Sequence, residues 1–158
     1  MEESRVPGVP DLIVADVMSF PLITIEAEVT IAQARDLLEQ YHCHHLVVTN
    51  RGTPVAVVSD RDIIRSLSPF LGTIAEQPRD TYTMFRPVMQ IATFHPVTVH
   101  RAASIYEAAA TLLDRGISCL PVVGDDGTVI GIVTSSNLMR GMLSCRVPAP
   151  GATLADVA

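Results

Sequence analysis

The sequence predicts a mixed α/β (α+β) fold made of two copies of one small β-α-β-β-α unit, packed about a pseudo-twofold axis. Three observations predict it. Short segments recur in the same order in the two halves of the chain. Apolar residues come in brief β-branched runs, divided by turn residues and by stretches with helical spacing. Hydrophobic residues fill 48% of the 158 positions, yet aromatics fill only 4% and Trp is absent. The core must therefore be built from Val, Ile, Leu, Ala and Met, a composition that suits short strands covered by helices.

Val17-Met18 returns as Val88-Met89, and Thr24-Ile25 as Thr98-Val99. Ile31-Ala32-Gln33-Ala34 returns as Ile105-Tyr106-Glu107-Ala108, Leu46-Val47-Val48 as Pro121-Val122-Val123, and Val57-Val58-Ser59 as Ile132-Val133-Thr134. The spacing between partners drifts by a few residues, as insertions in loops would produce. The chain divides into a flexible N-terminal segment (1–13), a first copy (14–67), a linker (68–86), a second copy (87–143) and a flexible C-terminal tail (144–158).

Within the first copy, residues 23–25 form a short strand. A helix follows over about residues 30–41, with Ile31, Ala34, Leu37, Leu38 and Tyr41 as its buried stripe and Thr30 as its N-cap. Strands at 46–48 and 55–58 flank the turn Asn50-Arg51-Gly52, and Ser59 or Asp60 caps a helix that reaches about residue 67. The second copy repeats this. It has a strand at 97–99, a helix over about 104–114 closed by Gly116, strands at 120–123 and 129–133 around Asp125-Asp126-Gly127, and a last helix over about 135–143. Neither copy covers both faces of its own sheet, so the two must pack together. The linker holds Pro69, Gly72 and Pro78 and is longer than an ordinary loop; it forms either a short helix or an extended strap.

Composition also limits function. A net charge of −6 without a basic run does not suit nucleic acid as the partner. Cys43, Cys119 and Cys145 form no C-x-x-C pair, so no disulfide framework is expected. The start of the chain has no apolar leader, and no stretch approaches the ~18 apolar residues of a membrane span; a cytoplasmic protein is expected. His42, Cys43, His44 and His45 cluster, but the alternation of strand side chains lets only His42 and His44 share a face, and spacing fixes no third ligand; no metal is expected. No nucleophile elbow, P-loop, paired-carboxylate or dinucleotide motif is present, so no catalysis is expected. Met84, Met89, Met139 and Met142 are read as packing residues, and Cys119 as a small buried hydrophobe.

The most informative segment is Val57-Val58-Ser59-Asp60-Arg61-Asp62, an apolar strand that runs through a hydroxyl residue to a carboxylate at a helix start. That junction offers unpaired N–H groups to a phosphate, a hydroxyl donor, and a carboxylate able to accept ribose hydroxyls. The same residues also suit simple helix capping. With His44-His45-Leu46-Val47-Val48, Leu120-Pro121-Val122-Val123 and Val17-Met18, in two ordered copies, the chain resembles the cystathionine-β-synthase (CBS) domain pair, or Bateman module, over roughly residues 14–143.

The resemblance implies a regulatory module that binds an adenine nucleotide (AMP, ADP or ATP) or another adenosyl compound such as S-adenosylmethionine, needs no cofactor, reports to an unknown partner protein, and forms a homodimer through the helices at about 30–41 and 135–143. The alternative is a structural or dimerisation module with unoccupied clefts. Carried over by residue, the resemblance implies a primary cleft of Ser59, Arg61, Asp62, Pro96, Val97, Ile117 and Ser118. It implies a second cleft of Leu22, Ile23, Cys43, His44, Thr134, Ser136 and Asn137. Two positions depart from the family pattern. Ala56 stands where the family has Gly, which narrows the room beside the ligand, and Asn137 stands where it has Asp, which weakens ribose binding in the second cleft.

Overall fold

The computed structural model describes residues 12–144. The two ends expected to be flexible fall almost wholly outside these residues, as does Cys145. A four-stranded sheet is ordered β1(Thr24–Ile25)-β2(His45–Asn50)-β3(Thr53–Ser59)-β4(Thr93–Phe94), and a three-stranded sheet is ordered β5(Val99–His100)-β6(Cys119–Val123)-β7(Val129–Thr134). In each sheet the first strand runs parallel to the second, and the second and third form an antiparallel hairpin. The helices are α1(Val14–Val17), α2(Ile31–Gln40), α3(Asp60–Ser66), α4(Pro78–Tyr82), α5(Ile105–Arg115) and α6(Ser135–Ser144).

Local chemistry explains these elements. Thr30 and Gln33 form a reciprocal capping box at the start of α2. The β2–β3 hairpin turns on Arg51 and Gly52, whose φ angles of 50° and 82° suit a type I′ turn. The helices α2 and α5 both end with a left-handed residue, followed by an N–H that reaches back to Leu38 or Leu112. At α5 that residue is Gly116, with φ 62°; at α2 it is His42, with φ 49°. A side chain in this conformation costs about 1–2 kcal/mol. His42→Gly is therefore expected to stabilise the protein by about 0.5–1 kcal/mol in urea unfolding, because part of the relief is lost to the freer unfolded chain. Unchanged stability would show that the imidazole makes contacts worth as much as the strain.

Each sheet has its own core on one face. Ile31, Ala34 and Leu38 pack on Leu46, Val48 and Val58 in one half, and Ile105, Ala108 and Leu112 pack on Leu120, Val122 and Val133 in the other. The opposite faces meet in a smaller cluster of Val47, Cys119 and Ile132, bordered by Leu22, Val57 and Val129. Two apolar positions of the sequence reading are instead open to solvent: Tyr41 at 50% and Met139 at 56%.

The register of the sheets corrects the alignment of the repeats. Leu46 and Val48 stand opposite Val58 and Ala56, as Leu120 and Val122 stand opposite Val133 and Gly131. The partner of Leu46-Val47-Val48 is thus Leu120-Pro121-Val122, one residue earlier than the sequence suggests. Val14 donates its N–H to Ala103 O and Val88 donates to Val29 O, so the partner of Val88 is Val14 rather than Val17. One constant offset holds up to the hairpin, and one extra residue in the second hairpin accounts for the rest.

The segments that lead into the repeats are exchanged. Leu12–Ser19 leads into the first strand of the first copy, yet Val14 donates to Ala103 O, Ile105 donates to Leu12 O, and Ser19 and Ile132 exchange both backbone bonds. Residues 86–94 lead into the first strand of the second copy, yet Ile31 donates to Arg86 O and Thr93–Phe94 pairs with Val57 and Ala56. Each arm therefore completes the other repeat. In the linker, α4 confirms the short-helix alternative. It is anchored by the buried Asp80, whose carboxylate accepts from the Ser68 hydroxyl at 2.6 Å and the Gln77 N–H at 2.8 Å. Those hydrogen bonds hold Asp80 below the usual carboxylate pKa. Among the described residues, no helix is long and apolar enough to cross a membrane.

Candidate ligand cleft

A cleft of about 640 Å³ opens between the repeats, within the size range of small-molecule sites. One wall is the lead-in to the first strand, Ser19, Pro21, Leu22 and Ile23. A second is the turn from α2 into β2, His42 to His45. The third is the β7–α6 junction, Ile132, Thr134, Ser135, Ser136 and Asn137, with Arg140 one turn further along α6. Ser59, Asp60, Arg61 and Ser118 close the remaining side.

All seven residues of the expected second cleft line this cavity: Leu22, Ile23, Cys43, His44, Thr134, Ser136 and Asn137. Of the expected primary set, Ser59, Arg61 and Ser118 line the same cavity, while Asp62, Pro96, Val97 and Ile117 do not. The two sets are thus partly merged into one cleft. Ala56 does not border it; its side chain is fully buried in the first core.

Both strand-to-helix junctions are closed on themselves. The Asp62 carboxylate accepts from the Ser59 hydroxyl at 2.6 Å and from the Ser59 N–H at 2.9 Å, and the Asp62 N–H donates to the Ser59 hydroxyl oxygen. Asn137 repeats this geometry. Its Oδ1 accepts from the Thr134 hydroxyl at 2.7 Å and the Thr134 N–H at 3.0 Å. In addition, Asn137 Nδ2 donates to Ser19 Oγ at 3.2 Å. That bond ties the β7–α6 junction to the arm of the first repeat. It needs the amide, and it leaves the Ser19 proton free to point into the cleft.

The three histidines behave differently from one another. His44 Nδ1 lies 2.8 Å from Asp60 Oδ2, and the Arg61 N–H donates to Asp60 Oδ1 at 2.7 Å. Burial works against ionisation of Asp60, but these partners outweigh it and hold the carboxyl below its ordinary pKa. His45 Nε2 lies 3.0 Å from Ser118 Oγ and so links the repeats. Burial lowers the pKa of His45, with the charge of Asp60 partly opposing it. His42 and His45 reach the same cleft as His44 because the left-handed residue turns the chain sharply just before β2, which strand alternation alone does not provide for.

Burial disfavours the thiolate at both cysteines of the described residues. Burial raises the pKa of Cys43. Burial, helped by the nearby charge of Asp62, pushes Cys119 up to about 12. The sequence reading missed Ser19, Pro21, His42, His45, Asp60, Ile132, Ser135 and Arg140 as cleft residues. Only Arg140 had a usable signal, since it lies three residues beyond Asn137 on the same face of a helix.

The comparisons with known proteins agree on the fold. The CBS domain family model matches residues 14–69 and 88–144. A CBS domain-containing protein of Dictyostelium discoideum is 30% identical over 88% of this chain and 97% of its own. An L-aspartate semialdehyde sulfurtransferase of Methanocaldococcus jannaschii is 30% identical over 83% of this chain, which spans only 23% of that enzyme. Among solved structures, a CBS-pair protein from Arabidopsis thaliana superposes with a TM-score of 0.70 at 29% identity, covering 89% of this chain and 100% of its own. A CBS domain pair in complex with 5′-methylthioadenosine and S-adenosyl-L-methionine superposes with a TM-score of 0.71 at 25% identity, over 85% of this chain and 98% of its own.

Proposed function

Because the chain belongs to the CBS domain family and carries the domain twice, we propose that it is a regulatory module whose cleft binds an adenine nucleotide or another adenosyl ligand and reports it to a partner protein. The observation that carries this reading is the cleft itself. Apolar Pro21, Leu22, Ile23 and Ile132 can sandwich a purine, and the hydroxyls of Ser19 and Ser136 with the start of α6 face its polar end. The likeness to pairs solved with adenosyl compounds supports the same class. Thr134, Asn137, Cys43 and His44 complete this site. The primary cleft of the sequence reading stays a candidate site of its own: Ser59, Arg61 and Ser118 are shared with the cavity described, and Asp62, Pro96, Val97 and Ile117 lie outside it. The advantage of Asp62 there, two ribose hydroxyls on one carboxylate, requires the carboxylate to share or leave its bonds to Ser59.

The geometry of the two junctions also favours a second reading, a structural module, since both hydroxyls are already committed to their own helices. A thermal-shift screen of AMP, ADP, ATP, S-adenosylmethionine and 5′-methylthioadenosine separates the two. Ligand at 100-fold over its dissociation constant stabilises by about 2.7 kcal/mol; no shift with any compound leaves the structural reading. We also propose a homodimer. Ile64, Leu113, Met139 and Leu143 are 69%, 82%, 56% and 65% exposed on α3, α5 and α6, which supports the helix at 135–143 as a contact element and adds α3 and α5 as candidates beside the helix at 30–41. Light scattering at micromolar concentration is expected to give twice the mass of one chain.

A further inference from the structure

Given the adenosyl reading above, on which this rests, we infer that the cleft does not read the ribose diol and takes 2′-deoxyadenosyl compounds as readily as adenosyl ones. The two strand-to-helix junctions differ in one group. At the first, Asp62 meets the Ser59 hydroxyl and the Ser59 N–H with a single oxygen, Oδ2. That leaves Oδ1 as a charged acceptor, so a diol can meet Oδ1 and share Oδ2. At the second, Asn137 Oδ1 takes the same two bonds from Thr134, at 2.7 and 3.0 Å. The Thr134 N–H can only donate, so the atom it faces is the oxygen, and the group left over is the Nδ2 amine. That amine is anchored on Ser19 Oγ at 3.2 Å, which holds the amide in this orientation.

A diol presents two O–H donors, and a site tells ribose from deoxyribose best when it holds an ionised acceptor that a missing hydroxyl leaves unpaired. Here no such acceptor faces the sugar. Asn137 Oδ1 already accepts two bonds, which occupies both of its lone pairs. Asp60 is the one carboxylate among the residues that line the cavity. Its oxygens are engaged by His44 at 2.8 Å and by the Arg61 N–H at 2.7 Å. Around Asn137 the wall offers the hydroxyls of Ser19, Thr134 and Ser136, which give neutral bonds and serve as donor or acceptor alike. Loss of one sugar hydroxyl therefore strands no charge. The change from carboxylate to amide does more than weaken ribose binding: it widens the class of ligand admitted.

The test is calorimetric titration of the intact chain with AMP and 2′-deoxy-AMP. It is run on Asp62→Asn, which removes the other diol-reading carboxylate without touching this cavity. The two affinities are expected to differ by less than about fivefold, the effect of a neutral bond partly replaced by water. Adding Asn137→Asp should raise the preference for AMP to about tenfold or more, since a charged oxygen then faces the sugar. Each substitution installs the residue already found at the matching junction of the other repeat, where it makes the same cap bonds, so both proteins are expected to fold. A preference for AMP of about fivefold or more while Asn137 is in place, or a ratio that Asn137→Asp does not move, overturns this inference alone. Failure of both nucleotides to bind overturns the adenosyl reading with it.

Discussion

A chain shortened to begin at residue 20 is expected to lose the second repeat first, although the cut falls at the start of the first. Val14 is fully buried, and Leu12, Val17 and Met18 pack beside it on the core of α5, β6, β7 and α6. The same arm caps the edge of the three-stranded sheet through the Ser19–Ile132 pair. At about 1.5–3 kcal/mol for each large apolar side chain returned to water, the second half loses at least ~4 kcal/mol, a large share of the stability of a domain this size. The first half keeps its own arm, because that arm is residues 86–94. Amide hydrogen exchange should show protection collapsing in β6 and β7 while β2 and β3 hold. Equal loss in both halves, or loss confined to β2 and β3, would sink the assignment of the arms.

Gly131→Ala is expected to destabilise the protein by about 1–2 kcal/mol in chemical denaturation. A Cβ there would stand 2.7 Å from Met18 Sδ and 3.1 Å from the Ser19 carbonyl oxygen. The methionine can swing away. The carbonyl cannot, because it accepts from the Ile132 N–H while the Ser19 N–H donates to Ile132 O. Overpacking of this kind costs about 1–3 kcal/mol, of which a few tenths return through the stiffer unfolded chain. The first repeat accommodates Ala56 at the matching place, fully buried and opposite Phe94, so the family's glycine is needed only where the arm comes closest. Ser19 also lines the cleft, and the variant should therefore weaken nucleotide binding as well. Wild-type stability in Gly131→Ala would mean that the arm sits less tightly than the described contacts require.

The sequence shows the repeats because their helices and central strands carry strong periods. The stripe through Ile31, Ala34 and Leu38 buries against Leu46 and Val48 as the spacing suggests, while Val47 between them faces the other repeat. The two-residue strand Thr93–Phe94 and the Ser19 bridge are too short to carry a period, and they are invisible before the fold is known. Val17-Met18 misled the alignment because it copies the letters of Val88-Met89, while the buried equivalent of Val88 is Val14. Half the candidate site was legible for a chemical reason: a hydroxyl followed three residues later by Asp or Asn marks a strand-to-helix junction. That pattern does not say whether the side chain turns outward or back, and in both repeats it turns back. His42, Asp60 and Arg140 join the cleft only through a left-handed turn, a local pair and a helix face.

The crossed arms bear on how such a molecule arises. A chain with a single repeat would carry an arm that cannot close on its own body, since each arm fits the other copy. Two such chains could complete each other only by trading arms, as in a domain-swapped dimer, and their stability would rise and fall with concentration. Joining the copies through residues 68–86 turns that trade into an event within one molecule, at the high effective concentration a short tether provides. The linker is thus the element that makes the fold independent of dilution, and lengthening it should lower stability gradually, whereas severing it should make stability depend on protein concentration.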